Sequence, residues 1–289
     1  MIVDGCDADG SGAAPACYAL PPRRAEPFSR EPATWHPHAA HPLARTERPS
    51  PMAEPDREAS LPVTDWVERL RAAHGRVGAA AGLGAALAAA ATGRHQAQAE
   101  VVTTCLSLGV SAEQCVEGAL MTHLFAGFPR AIEAFAIVED AVRRAGGTWP
   151  RAPGPIARID ANAQRSAGAA LFTLIYGSHA QRVRQRLAQF DPAFERAVLE
   201  DAYGRILARP GLDARTRELM SVCVLTALDL PRQLHSHMKG AVAAGATVDD
   251  IEEMVNLAAD LVAAWPATRP DVDGARALWA QVVATLRRP

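Results

Sequence analysis

Apolar positions recur at helical spacing from about Asp65 to the end of this 289-residue chain, and no stretch alternates with the period of two that marks a strand. The segments "TDWVERLRAAHG", the Ala-rich run 77–92, "RHQAQAEVVTTCLSLG", "SAEQCVEGALMTHLFAG" and "PRAIEAFAIVEDAVRRAGG" each predict a helix. The Pro- and Gly-punctuated "TWPRAPGPIARID" interrupts them. Helical patterning resumes with "AQRSAGAALFTLIYG", "HAQRVRQRLAQF", "PAFERAVLEDAYGRILARPG", "LDARTRELMSVCVLTALD", "LPRQLHSHMKGAVAAG" and "TVDDIEEMVNLAADLVAAW". The expected fold class is therefore all-α.

Two of these segments share a register. With Gly109 laid over Gly245, "LGVSAEQCVEGALMTHLFAGFP" falls on "AGATVDDIEEMVNLAADLVAAWP" with one residue of slack. In each, a Gly ends one helix where positive φ is cheap. In each, a capping box opens the next helix: Ser111 with Gln114, and Thr247 with Asp250. Ile251, Met254, Val255, Ala258, Leu261 and Val262 line one face of the second. Both segments end near a proline, Pro129 and Pro266. The shared register points to a tandem duplication.

Residues 1–60 differ in kind. Proline, arginine and histidine are scattered there without period, and such a composition buries too little apolar surface to offset ordering entropy. A disordered tail is expected, with His36, His38 and His41 read as solvated linker residues. One reading sets the true start at Met52, which opens the polar lead "MAEPDREASLPVTDW"; intact mass of the native protein tests it. The expected division is thus a tail over 1–60, a first repeat over 61–147, a linker with connecting helices over 148–190, and a second repeat over 191–287.

Composition narrows the functional classes. A net charge of −2 gives no basic excess for nucleic acid or an anionic membrane surface. Aromatics at 5% with abundant Ala favour tightly packed helices over a β-sandwich. No apolar run reaches the roughly 20 residues of a membrane span, and "MIVDGCDADG" lacks the basic and apolar regions of a signal peptide. Cys6, Cys17, Cys105, Cys115 and Cys223 are odd in number and show no close pairing, so no disulfide framework is expected. These features together suggest a reduced, cytoplasmic, soluble protein.

Candidate chemistry concentrates in "ELMSVCVLTALDLPRQLHSH", Glu218 to His237. Asp213 is placed to cap the helix that holds Glu218, and from Leu219 to Leu228 that helix is apolar nearly all round, as a central helix must be. Glu218 then sits where solvent gives way to core, and partial burial makes a carboxylate a usable proton donor or acceptor. The alternative is an exposed first-turn Glu that complements the helix dipole. Pro231 suits the first turn of the next helix. There Gln233 and His237 share a face, and His235 points the other way. That spacing does not make a helical metal pair, so no metal site is expected.

The segment from Tyr203 to Ala258, with its "RPGL", "RTREL" and "GAT" elements, resembles the carboxymuconolactone decarboxylase family. The resemblance is strong from about residue 190. It weakens in the first repeat, where "AGFPRAIEAF" carries it. It implies the all-helical AhpD-like fold shared with the alkyl hydroperoxidase D proteins. The peroxidase branch of that superfamily spaces Glu, Cys, Cys and His as Glu218, Leu230, Gln233 and His237 are spaced here. Both cysteine positions are lost, which disfavours a dithiol peroxidase.

The decarboxylase reading needs no thiol and no cofactor, because the substrate is its own electron sink. It makes Glu218 and His237 the catalytic pair. Arg217, Arg205 and Arg209 could hold substrate carboxylates, with Gln233 one turn from His237. The first repeat keeps "LFAGFPRA" but has Gly82 and Val101 where the acid and imidazole would fall. A composite pocket could therefore bring Phe125, Phe128 and His123 to face Glu218 and His237. A degenerate, non-catalytic paralogue is the remaining alternative. The resemblance further implies a small acidic substrate, a lactone or keto acid of aromatic catabolism, and a homo-oligomer. A trimer of fused chains would present six repeats.

Overall fold

In the computed structural model, residues 65–150 and 161–265 and the helical positions 276, 277, 279 and 283 are described. All lie in the unit Asp56–Pro289. The expected tail, Met52, the tail histidines, Pro266 and most of the linker fall outside these residues. No described residue lies in a strand, and no described helix is long and apolar enough to cross a membrane.

The first half contains α1 (Asp65–Val77), α2 (Ala79–Ala91), α3 (His95–Ser107) and α4 (Ala112–Arg144). Trp66, Leu70, Ala73 and Val77 recur at helical spacing on α1 and are buried. Gly78, at φ 65°, separates α1 from α2. α4 is broken at Gly127, whose φ of 77° and ψ of 178° are not helical. Pro129 then opens the second stretch, where its missing N–H costs nothing. The two helices expected either side of "AGFP" are therefore both present and meet at the kink at Gly127.

Next come α5 (Ala161–Tyr176), a 3₁₀ turn (Gly177–His179), α6 (Ala180–Phe190) and α7 (Pro192–Ala197). The patterning predicted one α-helix from Pro192, but the chain passes into a π-helix over Val198–Leu207. Its wide turns lie against α5 where the backbones nearly touch. A Cβ on Gly204 would come within 2.6 Å of the Gln164 carbonyl, and one on Gly168 would collide with the Leu199 carbonyl. Only glycines permit this approach.

α8 (Ala214–Ala227), α9 (Pro231–Ala243) and α10 (Val248–Ala264) complete the second half. Asp213 caps α8 by accepting from Thr216 N–H at 2.7 Å. The Ser111–Gln114 and Thr247–Asp250 capping boxes both form, each preceded by a positive-φ glycine, Gly109 and Gly245. Each cap contributes on the order of 1 kcal/mol.

α2 and α8 are the central helices and pack on each other. Nearly every residue of α2 from Ala80 to Ala90 is buried, as is α8 from Arg217 to Leu225. Small residues bring the two axes close: a Cβ on Gly84 would stand 3.0 Å from the Cys223 Cβ. α3 and α4 flank α2, and α9 and α10 flank α8. α1 packs on α10, while α4 meets the π-helix, so the closing helix of each half contacts an element of the other. The register of Gly109 over Gly245 also lays Glu117 over Glu253. Both carboxylates are buried, and both reach across the halves: Glu117 to Arg209 and Arg217, Glu253 to Arg69 and Arg76.

Candidate functional site: an acid–imidazole pair beside two tyrosines

Glu218 leaves α8 in its second turn, one residue past Arg217, and is only 2% exposed. That burial sets aside the reading of an exposed glutamate serving the helix dipole. Its carboxylate is met by His237 from α9, with Nδ1 2.9 Å from Oε2. The sharp break at Asp229, with φ of 53°, returns the chain so that α9 lies along α8. Pro231 occupies the first turn of α9 as expected. His235 is exposed, whereas His237 is half-buried. The contact fixes the imidazole: if Nδ1 carries the proton and donates to Glu218, Nε2 is left for chemistry.

The close approach depends on Gly240, one turn along α9. A Cβ there would lie 2.6 Å from Glu218 Oε2 and equally near Ile175 Cγ2 on α5. α5 therefore closes the third side of the carboxylate. Its Phe172 and Tyr176 form an aromatic cluster with Tyr203 of the π-helix. Ring centroids are 4.4 Å apart for Phe172–Tyr176 and 4.8 Å, edge to face, for Phe172–Tyr203. The Tyr203 hydroxyl donates to that of Tyr176 at 3.4 Å. Burial pushes both phenols up, and the Glu218 charge acts in the same direction. Both are therefore protonated donors at neutral pH. Because Tyr203 donates to Tyr176, the Tyr176 O–H is available to a further acceptor.

Sequence reasoning missed Phe172, Tyr176, Tyr203 and Gly240. A signal existed: the chain has three tyrosines, and two converge here, with Phe172 and Tyr176 at i, i+4 on one helix face.

The arginines expected to hold substrate are occupied by carboxylates of the protein. Arg217 is fully buried, and its Nη2 donates to Glu117 Oε2 at 2.8 Å and to the Arg209 carbonyl at 3.2 Å. Burial lowers its affinity for the proton, against the pull of Glu117. Arg209 grips the same carboxylate through Nε at 3.1 Å and Nη2 at 2.9 Å. Arg205 is exposed and pairs with Asp201 at 3.0 Å. Gln233 is exposed on α9.

His123, Phe128, Arg205 and Arg209 do come together, but in a separate cleft of about 650 Å³ whose lining includes neither Glu218 nor His237. Phe125 is half-buried against the core. The composite pocket expected from the sequence thus divides into two places in the fold, with the π-helix carrying Tyr203 toward one and Arg205 toward the other. The residues at the lost cysteine positions, Leu230 and Gln233, are exposed. Cys223 is fully buried, and burial pushes its thiol up to about 12. Cys105 and Cys115 are buried too, with thiols likewise raised by burial. Among the described residues, no three His, Cys, Asp or Glu side chains are grouped to hold a metal ion.

The sequence model of the Carboxymuconolactone decarboxylase family matches residues 192–272. The 4-carboxymuconolactone decarboxylase of Acinetobacter baylyi is 32% identical over 90 residues, which are 31% of this chain and 66% of that protein. The chain therefore spans just under two thirds of the length of the curated relative it matches. No solved structure matches the chain. The matched residues run from the start of α7 past the end of α10 and supply Tyr203, Glu218, His237 and Gly240, whereas Phe172 and Tyr176 lie outside them. Residues 192–272, which carry both members of the acid–imidazole pair, are thus the part of this chain that is similar to the carboxymuconolactone decarboxylase family.

Proposed function

We propose that the Glu218–His237 pair is the centre of a cofactor-independent carboxy-lyase acting on a small, acidic, unsaturated lactone or keto acid of the kind formed in aromatic catabolism. The observation that carries this is the 2.9 Å contact between a buried carboxylate and a half-buried imidazole. It lies within residues 192–272, which match the sequence model of the carboxymuconolactone decarboxylase family.

The chemistry follows from the substrate. The bond between the ring carbon and its carboxylate breaks, CO₂ departs, and the electron pair moves into the conjugated carbonyl as a dienolate. The enolate then collapses, and carbon takes a proton. Glu218 holds the His237 imidazolium through Nδ1 and stabilises its charge, so that Nε2 can deliver that proton; water restores it. The Tyr176 O–H, itself accepting from Tyr203, is suited to the dienolate oxygen. The neutral phenols and the buried carboxylate keep water away from the carbanion while it exists.

The test is CO₂ release and loss of substrate absorbance with 4-carboxymuconolactone and related unsaturated keto acids. Turnover that disappears in Glu218→Gln and His237→Ala while the helical fold persists supports the reading. Unchanged turnover in both variants rejects it. We also propose that the chain self-associates, with a trimer the expected state; a strict monomer by size-exclusion chromatography with light scattering rejects this.

A further inference from the structure

We infer that the cleft between α4 and the π-helix is a second ligand site, separate from the acid–imidazole pair, for a flat apolar molecule bearing one carboxylate. Its volume of about 650 Å³ is that of a small-molecule site. One wall is apolar, and two of its large side chains, Phe128 and Ile132, stand 68% and 64% exposed. Such surface is costly to leave uncovered. Phe128 stacks on His123, with ring centroids 3.9 Å apart and planes at 27°, extending the wall as a flat aromatic surface.

The opposite side is polar and carries excess positive charge. Arg205 and Arg209 line the cleft, and Arg217 lies behind Arg209. Among the lining residues the guanidiniums of Arg205 and Arg209 face one carboxylate, Asp201; behind the lining, Arg217 is offset by Glu117 and Asp213. His123 Nδ1 is buried with no hydrogen-bond partner among the described residues, and an unmet polar atom beside a cleft is a place for a ligand atom. Arg205 is the adaptable member: exposed and paired among the described residues with Asp201, it can exchange that partner for a ligand carboxylate in a bidentate pair. Arg209 is held by Glu117 and fixes the edge. The aromatic face selects a planar ring, and two lining guanidiniums against one lining carboxylate select an anion.

Isothermal titration of the full chain with 2-naphthoate, against 2-naphthamide as the neutral analogue, tests the site. Saturable one-to-one binding of the acid is expected, with the amide at least tenfold weaker. Arg205→Gln and Phe128→Ala should each weaken the acid at least tenfold. Both positions are exposed, so thermal unfolding should show both variants folded. Binding should be unchanged in Glu218→Gln and His237→Ala, which separates this inference from the proposed reaction. Absence of saturable binding overturns it, as does equal affinity for acid and amide or full affinity in Arg205→Gln. Loss of binding in the Glu218 or His237 variants overturns it as a separate site. A stable dimer that Phe128→Asp dissociates overturns it too, because the apolar wall would then be an interface between copies.

Discussion

The carboxylate of Glu117, on α4, meets the fully buried guanidinium of Arg217, on α8, at 2.8 Å. The pair ties the first half of the molecule to the second beneath the candidate site, since the next residue along α8 is Glu218. Arg209 completes the arrangement by gripping the same carboxylate. Neither central arginine is therefore free to hold substrate without giving up a structural partner.

Removing one side of this tie should be severe. Glu117→Ala leaves Arg217 as an uncompensated buried charge, and a loss of about 3–5 kcal/mol is expected in chemical denaturation. The double change Glu117→Ala with Arg217→Met should recover much of that loss, because the cost lies in the orphaned charge. A single-variant loss under about 1 kcal/mol would contradict the burial argument.

Glu218→Gln preserves the shape of the carboxylate but removes its charge, so His237 loses its electrostatic hold. On the proposed reaction, kcat should fall about 10²–10⁴-fold with little change in unfolding temperature. Steady-state kinetics and circular dichroism on one preparation check both parts.

Gly240→Ala places a methyl group 2.6 Å from both Glu218 Oε2 and Ile175 Cγ2. The carboxylate or α5 must shift, at a cost of about 1–3 kcal/mol. On the proposed reaction, activity should fall with stability, although Gly240 itself bears no reacting group. A fully active, fully stable variant would show that α9 can move away from α5 without disturbing the pair.

Alkaline pH should destabilise the fold. An ordinary thiol ionises near 9.0, whereas burial holds Cys115 and Cys223 protonated to about 12. Between those values the unfolded chain binds fewer protons than the folded one, so stability falls as pH rises. The stabilisation from each thiol is complete below about 9 and declines by up to about 1.4 kcal/mol per pH unit above it. Urea midpoints at pH 8, 9.5 and 10.5 measure the slope, and Cys223→Ala should lessen it. In a chain carrying Cys6→Ser and Cys17→Ser, a thiol reagent at pH 8 should label nothing until the protein unfolds.

Tyr176→Phe removes the hydroxyl that accepts from Tyr203 and costs about 1 kcal/mol of stability. If that hydroxyl meets the dienolate, kcat should fall on the order of 10²-fold or more with KM little changed. Equal kinetics in Tyr176→Phe would confine the tyrosines to packing.

What the sequence determined by itself was local. Helical periodicity, the Asp213 cap, the Ser111–Gln114 and Thr247–Asp250 boxes and Pro231 at a helix start depend on neighbours within one turn, so they are legible in a string of residues. Helical phase likewise set His235 and His237 on opposite sides, whereas the choice of His237 came from the Glu–Cys–Cys–His spacing of the resembled superfamily. The convergence of Glu218 with His237 was suggested by the spacing, but only packing of α9 on α8 decided it. Phe172 and Tyr176 meet Tyr203 because α5, from beyond the linker, packs against the π-helix through Gly168 and Gly204. Arg217 looked like a substrate ligand because it stands beside Glu218. Which of two adjacent residues faces a pocket and which faces a buried partner depends on what lies opposite, and for Arg217 that partner is Glu117, contributed by the other half of the chain.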